Sequence, residues 1–245
     1  METVVKEKSK LEYGTPRIER GMIKTIIPYE NGEVAFVHPS YKGDYISVGK
    51  QILENGLRIS TGEEVATLLY TAYCIPEVHD EKEFENVRDI IKNRWLWNFN
   101  RNLWTENGVY VISDPRVLGL SKLLNVNQLE KSLEGGRELS WGGIRFSTDG
   151  SVRYAPKGSY VLGDHTSESL AKDGQVVASH GEIGAEKLGE VSIKFRNNPR
   201  TWGINVSEGQ TPELRVSALI GYFCGRLGVG GRSFGDGEGN CGFGV

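Results

Sequence analysis

A cysteine close to a histidine is the first candidate for chemistry in this chain. Cys74 and His79 share one short stretch, and a thiol beside an imidazole base is the pairing that nucleophilic catalysis requires. Cys74, however, ends the apolar face of a predicted helix, and Pro76 separates it from His79. Catalytic partners also generally meet in space rather than in sequence. The pattern therefore favours a small packed side chain at Cys74 over a nucleophile.

Histidines and carboxylates are concentrated in one polar stretch, at Asp164, His165, Glu168, Ser179, His180 and Glu182. A metal site would need a recognisable ligand spacing such as His-Glu-x-x-His, which this stretch lacks. We therefore predict a solvated loop, whereas an enzyme would need a deep polar pocket around His165 and His180. His38, which ends an apolar strand before Pro39, is predicted to be a structural histidine.

Two glycine motifs near the C-terminus resemble ligand loops but fail in detail. Asp236 to Asn240 alternates oxygen-bearing side chains as a calcium loop does, yet Cys241 follows where such a loop needs glycine. Gly230 to Gly235 lacks the strand and helix that flank a dinucleotide loop. The sequence also has no Gly-x-Ser-x-Gly elbow and no phosphate loop. We expect a protein that is not an enzyme, with no metal and no cofactor.

Residues 217–245 are unusual because glycine alternates there with large apolar residues. A flexible linker would be rich in Gly and Ser without such anchors. The spacing predicts strands whose apolar positions hold a core while the intervening positions point outward. The apolar residues concerned are Phe223, Leu227, Val229, Phe234, Phe243 and Val245.

The same segment is depleted in five residue types. Glu, Lys, Gln, Met and Trp make up about a fifth of the chain, yet only Glu238 represents them in residues 217–245. An Asn codon that ends in a pyrimidine cannot become a codon for any of these five when only its adenines are mutated. The other types that are present, such as Gly, Ser, Asp, Cys and Tyr, can all arise in that way.

The elements that must position these residues follow from hydrophobic periodicity and turn signals. We predict strands at 22–28 and 33–38, and helices at 45–55, 61–73 and 81–94. The second helix opens with the capping box Thr61-Gly-Glu-Glu64. Further predictions are a hairpin over 95–113, a short helix at 128–133, a hairpin around Thr148-Asp-Gly150, and strands at 190–195 and 201–206. This mixture predicts the α+β class.

Composition limits the possible partners and compartment. The net charge of −3 leaves no basic patch for nucleic acid, since the longest basic stretch is the sparse Lys6, Lys8 and Lys10. No apolar run is long enough for a membrane span, and the charged N-terminus is not a secretory signal. We expect a cytoplasmic protein by default, with surface display or export by an unrecognised route left open. Three cysteines, Cys74, Cys224 and Cys241, do not suggest a disulfide scaffold.

No repeat and no Pro-rich linker divides the chain. We therefore predict a polar N-terminal arm over residues 1–20 and a single domain over residues 21–245.

Several motifs resemble the variable proteins of diversity-generating retroelements, in which a template copied with errors at adenines rewrites chosen codons. They are Trp141-Gly-Gly-Ile-Arg-Phe, Trp202-Gly-Ile, Arg215-Val-Ser-Ala-Leu219, Arg226-Leu227 and Gly242-Phe-Gly-Val245. The resemblance covers about residues 95–245 and is closest to the archaeal variable proteins. The terminal motif departs from the family, whose members more often read Gly-Phe-Arg there.

The resemblance implies a C-type-lectin-like fold, with two or more helices packed on small twisted antiparallel sheets with long irregular loops. It also implies a protein that binds a protein or a surface ligand through a variable region at about 217–245. Variable positions must tolerate any side chain, so we expect them on the solvent face of a backbone that other residues hold. The expected exposed, ligand-binding set is Ile220, Gly221, Tyr222, Cys224, Gly225, Gly228, Gly230, Arg232, Ser233, Gly235, Asp236, Asn240 and Cys241.

The expected supports of that surface are Phe223, Arg226, Leu227, Val229, Phe234 and Phe243. If this interpretation is right, substitutions such as Gly230→Asn or Tyr222→Ser leave the fold intact. Two alternatives stay open: a lectin-fold enzyme of the formylglycine-generating type, and a structural interaction domain that is not diversified. Such enzymes use paired cysteines, whereas Cys224 and Cys241 fall among the positions expected to vary.

Overall fold

A computed structural model describes residues 16–19, 23–118, 124–222, 225–232, 237 and 239–245, without the side chains of Tyr222 and Arg232. Its helices are α1 (Tyr45–Glu54), α2 (Gly62–Cys74), α3 (Lys82–Asn93), α4 (Val126–Leu133), α5 (Ser167–Ala171) and α6 (Gly174–Ser192). Its strands are β1 (Arg17–Glu19), β2 (Lys24–Tyr29), β3 (Gly32–Val37), β4 (Tyr41–Lys42), β5 (Leu96–Thr105), β6 (Gly108–Ser113), β7 (Arg137–Glu138), β8 (Arg145–Phe146), β9 (Val152–Pro156), β10 (Gly163–Asp164), β11 (Arg200–Trp202), β12 (Glu213–Tyr222), β13 (Arg226–Arg232) and β14 (Cys241–Gly242).

Local sequence signals explain where several elements begin and turn. The Thr61 side chain accepts from the Glu64 amide, and the Glu64 carboxylate accepts from the Thr61 amide, so the predicted capping box starts α2. Asp44 caps α1 in the same way, by accepting from the Ser47 amide. Gly56, with a φ of 72°, follows the end of α1, as the predicted stop signal requires.

A small antiparallel sheet at the N-terminal end has the order β1-β2-β3. The predicted strand pair around Glu30-Asn31-Gly32 is confirmed, since Tyr29 pairs with Gly32 across the turn. Of the predicted arm over residues 1–20, only residues 16–19 are described. Among them, Arg17–Glu19 pair with Lys24–Ile26, and the rest of the arm lies outside the described residues.

In the described residues the main sheet has eleven strands, in the order β10-β11-β13-β12-β5-β6-β9-β8-β7, with β14 joining β4 and β5. Its pairs are antiparallel except β11 with β13 and β14 with β5. The predicted hairpins over 95–113 and around Thr148-Asp-Gly150 are both present. Helices on a largely antiparallel sheet confirm the α+β class predicted from the sequence.

The centre of this sheet is covered on both faces. Leu219, Leu227 and Val229 pack with α2, α3 and α6 on one face. On the other face, Val216, Ala218 and Ile220 pack with residues of α1 and with Trp97. Strand β12 is therefore a central strand with two buried faces, and this decides which of its side chains reach solvent.

Two predictions for residues 164–195 are wrong. The expected solvated loop contains α5 and α6, and the expected strand at 190–195 begins inside the last turn of α6. Helix α6 is hard to recognise because Gly181, Gly184 and Gly189 interrupt its pattern, and Gly181 has a non-helical φ of 73°. The glycines allow close packing: a Cβ at Gly184 would lie 3.3 Å from the Cα of Glu63 in α2.

The strand predicted at 201–206 is short and consists of Arg200–Trp202.

Candidate functional site

The C-terminal hairpin of β12 and β13 is built into the middle of the main sheet. It pairs in register from Val216 with Arg232 to Tyr222 with Arg226. Leu227 and Val229 are fully buried against the helices, so two of the predicted supports are confirmed. Alternation along the strand places positions 226, 228, 230 and 232 on the opposite face of the sheet.

The end of the chain is held in the core. Phe243, another predicted support, is fully buried with its ring centroid 6.0 Å from that of Phe36. Its carbonyl accepts from the Ser60 hydroxyl at 3.0 Å. The last residue, Val245, exchanges two backbone hydrogen bonds with Arg58, at 2.8 and 2.9 Å. The terminal motif is therefore a fixed structural element.

The segment before this strand is also fixed at its base. The Asn240 side chain accepts from the Trp95 amide at 3.2 Å, and the Asn240 carbonyl accepts from the Gly43 amide at 2.9 Å. Arg94 donates to the Gly239 carbonyl at 2.5 Å. Residues 239–241 are thus held by the residues that directly follow α3 and β4 and precede β5.

The expected exposure is wrong at six of the thirteen proposed ligand-binding positions. They are buried: Ile220, Gly221, Gly228, Gly230, Asn240 and Cys241. The residues of β12 and β13 are buried because both faces of the central strands are covered. The last two are buried because β14 inserts between β4 and β5.

Three of these positions have little room for a side chain. A Cβ at Gly221 would lie 2.7 Å from Cε1 of Phe195, and a Cβ at Gly230 would lie 2.5 Å from the Cβ of Trp202. A Cβ at Gly228 would lie 3.0 Å from the Ile220 side chain. These glycines allow the close packing of β12 and β13 in the sheet, and we call the buried residues of these two strands and of β14 the frame. The expectation that Gly230→Asn is tolerated is therefore contradicted.

The remaining seven proposed positions fall in two short segments, residues 222–225 and 232–236. Gly225 is half-buried in the β12–β13 turn, with a φ of 70° and a carbonyl that accepts from the Asn197 amide at 2.9 Å. Tyr222 and Arg232 lie in the strands, but their side chains are not described. The proposed positions Cys224, Ser233, Gly235 and Asp236, and the expected supports Phe223 and Phe234, lie outside the described residues.

A charged and aromatic cluster lies beside the hairpin, on β10, β11 and the start of β13. Asp164 accepts from Arg226 at 2.6 Å and from Arg200 at 3.2 Å. The Arg200 guanidinium stacks 4.6 Å from the centre of the Trp202 ring system. Arg226 was expected as a support and is only partly exposed, with 23% of its side chain accessible.

This cluster was not predicted as a candidate surface. The available signal was the alternation Arg200-Thr-Trp202, which places the arginine and the tryptophan on one face of a strand and Thr201 on the other. Arg and Trp are residue types enriched at the centres of protein interfaces. The cluster therefore lies beside the hairpin and combines residue types that are common in binding sites.

The cysteine and histidine side chains considered for chemistry have structural environments that do not favour it. Burial raises the pKa of the Cys74 thiol, which keeps it protonated, and His79 is exposed. Burial likewise raises the pKa of Cys241, whose Sγ lies 3.9 Å from the Gly239 carbonyl oxygen. His38 is buried and its Nε2 lies 2.7 Å from the Thr25 hydroxyl, as expected of a structural histidine.

The two histidines of the former loop prediction are buried and have different partners. His165 Nε2 is 2.9 Å from the Val161 carbonyl, 3.1 Å from the Thr201 hydroxyl and 3.7 Å from a carboxylate oxygen of Asp173. His180 donates to the Val176 carbonyl and accepts from the Asn98 amide. Burial lowers the pKa of His180 to about 4, so this ring is neutral at physiological pH.

Two general features of the described part of the chain bear on metal and membrane binding. Within it, no group of three or more His, Cys, Asp or Glu side chains is placed to hold a metal ion. None of its helices combines the length and the apolar character that crossing a bilayer requires.

Comparison with solved structures found a structural similarity, whereas comparison of the sequence did not find a relative. No protein-family model matches the sequence, and no curated protein matches it. The chain is similar to a solved structure described as "Accommodation of massive sequence variation in Nanoarchaeota by the C-type lectin fold". The TM-score is 0.45 at 11% sequence identity, over 84% of this chain and 95% of that chain.

Proposed function

We propose that this chain is a ligand-binding protein of C-type-lectin-like fold, whose C-terminal hairpin and following segment form a variable surface for a protein or a surface ligand. The proposal is for binding rather than catalysis. It further holds that the variation arises by retroelement-directed mutation of adenines. One observation carries it: a segment with a restricted set of residue types is anchored in the core at Leu227, Val229 and Phe243.

Burial narrows the set of positions that can vary. Variation requires room for many side chains, and the six buried positions of the hairpin and β14 do not offer it. The proposed variable set is therefore Tyr222, Cys224, Gly225, Arg232, Ser233, Gly235 and Asp236. These residues fall in two short segments, 222–225 and 232–236, and Leu227 and Val229, in the strand between the segments, are buried in the core.

Arg200, Trp202 and Arg226 are the proposed constant part of the same surface. They adjoin the hairpin, and their side chains combine aromatic area with charge. An invariant anchor of this kind would give every variant some contact area, even when its variable positions are mostly glycine. Ligand identity would then depend on the two variable segments.

A display library tests this proposal. The seven proposed positions are randomised together, and a matched library randomises Gly221, Gly228, Gly230, Asn240 and Cys241. We expect the first library to be displayed in folded form and to yield binders to a purified probe protein such as lysozyme. We expect most members of the second library to be unfolded. Equal folding of the two libraries, or no binders from the first, would reject the proposal.

A further inference from the structure

A cavity of about 600 Å³ lies between the small N-terminal sheet and the packed helices α2 and α6. Its size is within the range of small-molecule sites, which are about 300–1,000 Å³. Tyr29, Tyr70 and Ile75 supply part of an apolar wall. Ile183 of α6 completes it and is 53% exposed. The cavity is distinct from the C-terminal surface, and none of its lining residues belongs to the hairpin.

The charge around this cavity is strongly unbalanced. Among the described residues that line the cavity, Lys187 is the one basic side chain. Its ammonium donates to the Thr67 hydroxyl at 2.9 Å, and burial lowers its pKa. The acidic residues that line the cavity are Glu30, Glu63, Glu77, Glu186 and Glu190. A cationic ligand would therefore find complementary charge on several sides.

Glu63 is a partly buried acid in the wall of this cavity. Its pKa is raised by burial, an effect that the charges of Arg153 and Lys187 oppose. Within the described residues its carboxylate accepts no hydrogen bond and forms no ion pair. The backbone of Gly181, in its left-handed conformation, lies against this carboxylate: a Cβ there would be 2.5 Å from Oε2. The kink in α6 thus makes room for a partly buried carboxylate that lacks a close counter-charge.

We propose that this cavity binds a small organic cation, namely a protonated amine or guanidinium carried on an apolar body. The cationic group would pair with Glu63 and with the acidic rim of Glu186 and Glu190. The apolar body would contact Ile183 and the aromatic rings of Tyr29 and Tyr70, whose faces also attract cations. A neutral ligand of the same shape would gain only the apolar contacts and would form no ion pair with Glu63.

Titration calorimetry of the full chain with 2-phenylethylamine and with 2-phenylethanol separates these contributions. The two probes share one apolar body and differ in charge. We expect the amine to bind about tenfold more tightly than the alcohol, as loss of one charge-assisted contact implies. Glu63→Gln should weaken amine binding by a similar factor and leave alcohol binding unchanged. Ile183→Ser should weaken both probes.

Two further variants control for folding and for general charge. Glu85→Gln changes an exposed acid of α3 that does not line the cavity, and it should leave the amine affinity unchanged. Glu186→Gln combined with Glu190→Gln alters only exposed rim residues, so it tests the charge requirement even if Glu63→Gln fails to fold. Equal affinity for both probes, or amine binding that neither carboxylate change affects, would overturn the proposal. Dimerisation that Ile183→Asp abolishes would assign the cavity to a second copy of the chain and would also overturn it.

Discussion

Gly230 lies against the backbone of Trp202, its partner in the parallel pairing of β13 with β11. A Cβ at Gly230 would come within 2.5 Å of the Trp202 Cβ and would also meet the Trp202 carbonyl oxygen. Real Cβ atoms do not approach other atoms so closely, so a side chain here must displace a strand. The pair shows that part of the glycine-rich segment supports the sheet rather than displaying side chains.

Two glycine substitutions should separate the frame from the variable surface. Gly230→Asn should destabilise the protein by about 3 kcal/mol, because it overpacks a buried position. Gly225→Asn should cost about 1 kcal/mol at most, because asparagine tolerates the left-handed conformation of this turn. Urea unfolding of both variants measures the difference. If the two variants had equal stability, our division of the segment into frame and surface would be wrong.

Phe243 should be one of the largest single contributors to stability at the C-terminus. Truncation by Phe243→Ala removes a fully buried ring and should cost roughly 3–5 kcal/mol. Ile193→Ala is the control, since that side chain is 67% exposed and its loss should cost about 0.5 kcal/mol. Thermal or urea unfolding tests this, and a small effect of Phe243→Ala would argue against a fixed terminal strand.

Two aspartates should differ in their importance to folding. Asp164 is 54% exposed and pairs with Arg200 and Arg226, so Asp164→Ala should change stability by about 1 kcal/mol at most. Asp173 is buried and accepts hydrogen bonds from the amides of Gln175 and Val176, so Asp173→Ala should cost roughly 2 kcal/mol. Circular dichroism during denaturation compares them. If Asp164→Ala reduced the free energy of unfolding as much as Asp173→Ala, the cluster around Asp164 would have a structural role.

His180 should make the fold sensitive to mild acid. Burial lowers its folded-state pKa to about 4, below the ordinary value of 6.5. Below pH 6.5 the unfolded chain therefore takes up a proton that the native chain does not, and stability falls until the pH reaches about 4. This loss amounts to about 3 kcal/mol, and it is absent above pH 7. The free energy of unfolding is measured from pH 7 to pH 4 for the wild type and for His180→Gln. We expect the decrease over this range to be about 3 kcal/mol smaller in the variant. If the two proteins lost the same amount of stability over this range, the buried ring could not be neutral.

Local signals in the sequence were sufficient for much of the fold. The capping box at Thr61, the stop signal at Gly56 and the turn at Asp149-Gly150 act within a few residues, so their elements could be predicted. Helix α6 could not be predicted, because its glycines allow close contacts with α2 that are not evident from the sequence. The polar residues around His180 suggested that its side chain is exposed to solvent, whereas it is buried and hydrogen-bonded to Asn98.

The candidate surfaces depended more strongly on tertiary packing. Alternation in β13 correctly separated Leu227 and Val229 from their neighbours, but it could not show that the second face is also covered. Ile220 is buried by α1, which is far away in sequence. The acidic cavity was not predicted, because Tyr29, Glu63 and Ile183 come together only when three separate elements pack.

We propose that a fixed frame presents two segments, residues 222–225 and 232–236, that are rewritten by adenine mutation. Sequencing the genomic locus tests it most directly, by searching beside a reverse-transcriptase gene for a near-copy of the nucleotides that encode residues 217–245. We predict a copy that differs mainly at adenines, in the codons of Tyr222, Cys224, Gly225, Arg232, Ser233, Gly235 and Asp236. The codons of Gly221, Gly228, Gly230 and Cys241 should match. Absence of such a copy, or adenine differences concentrated in these four codons, would contradict the account.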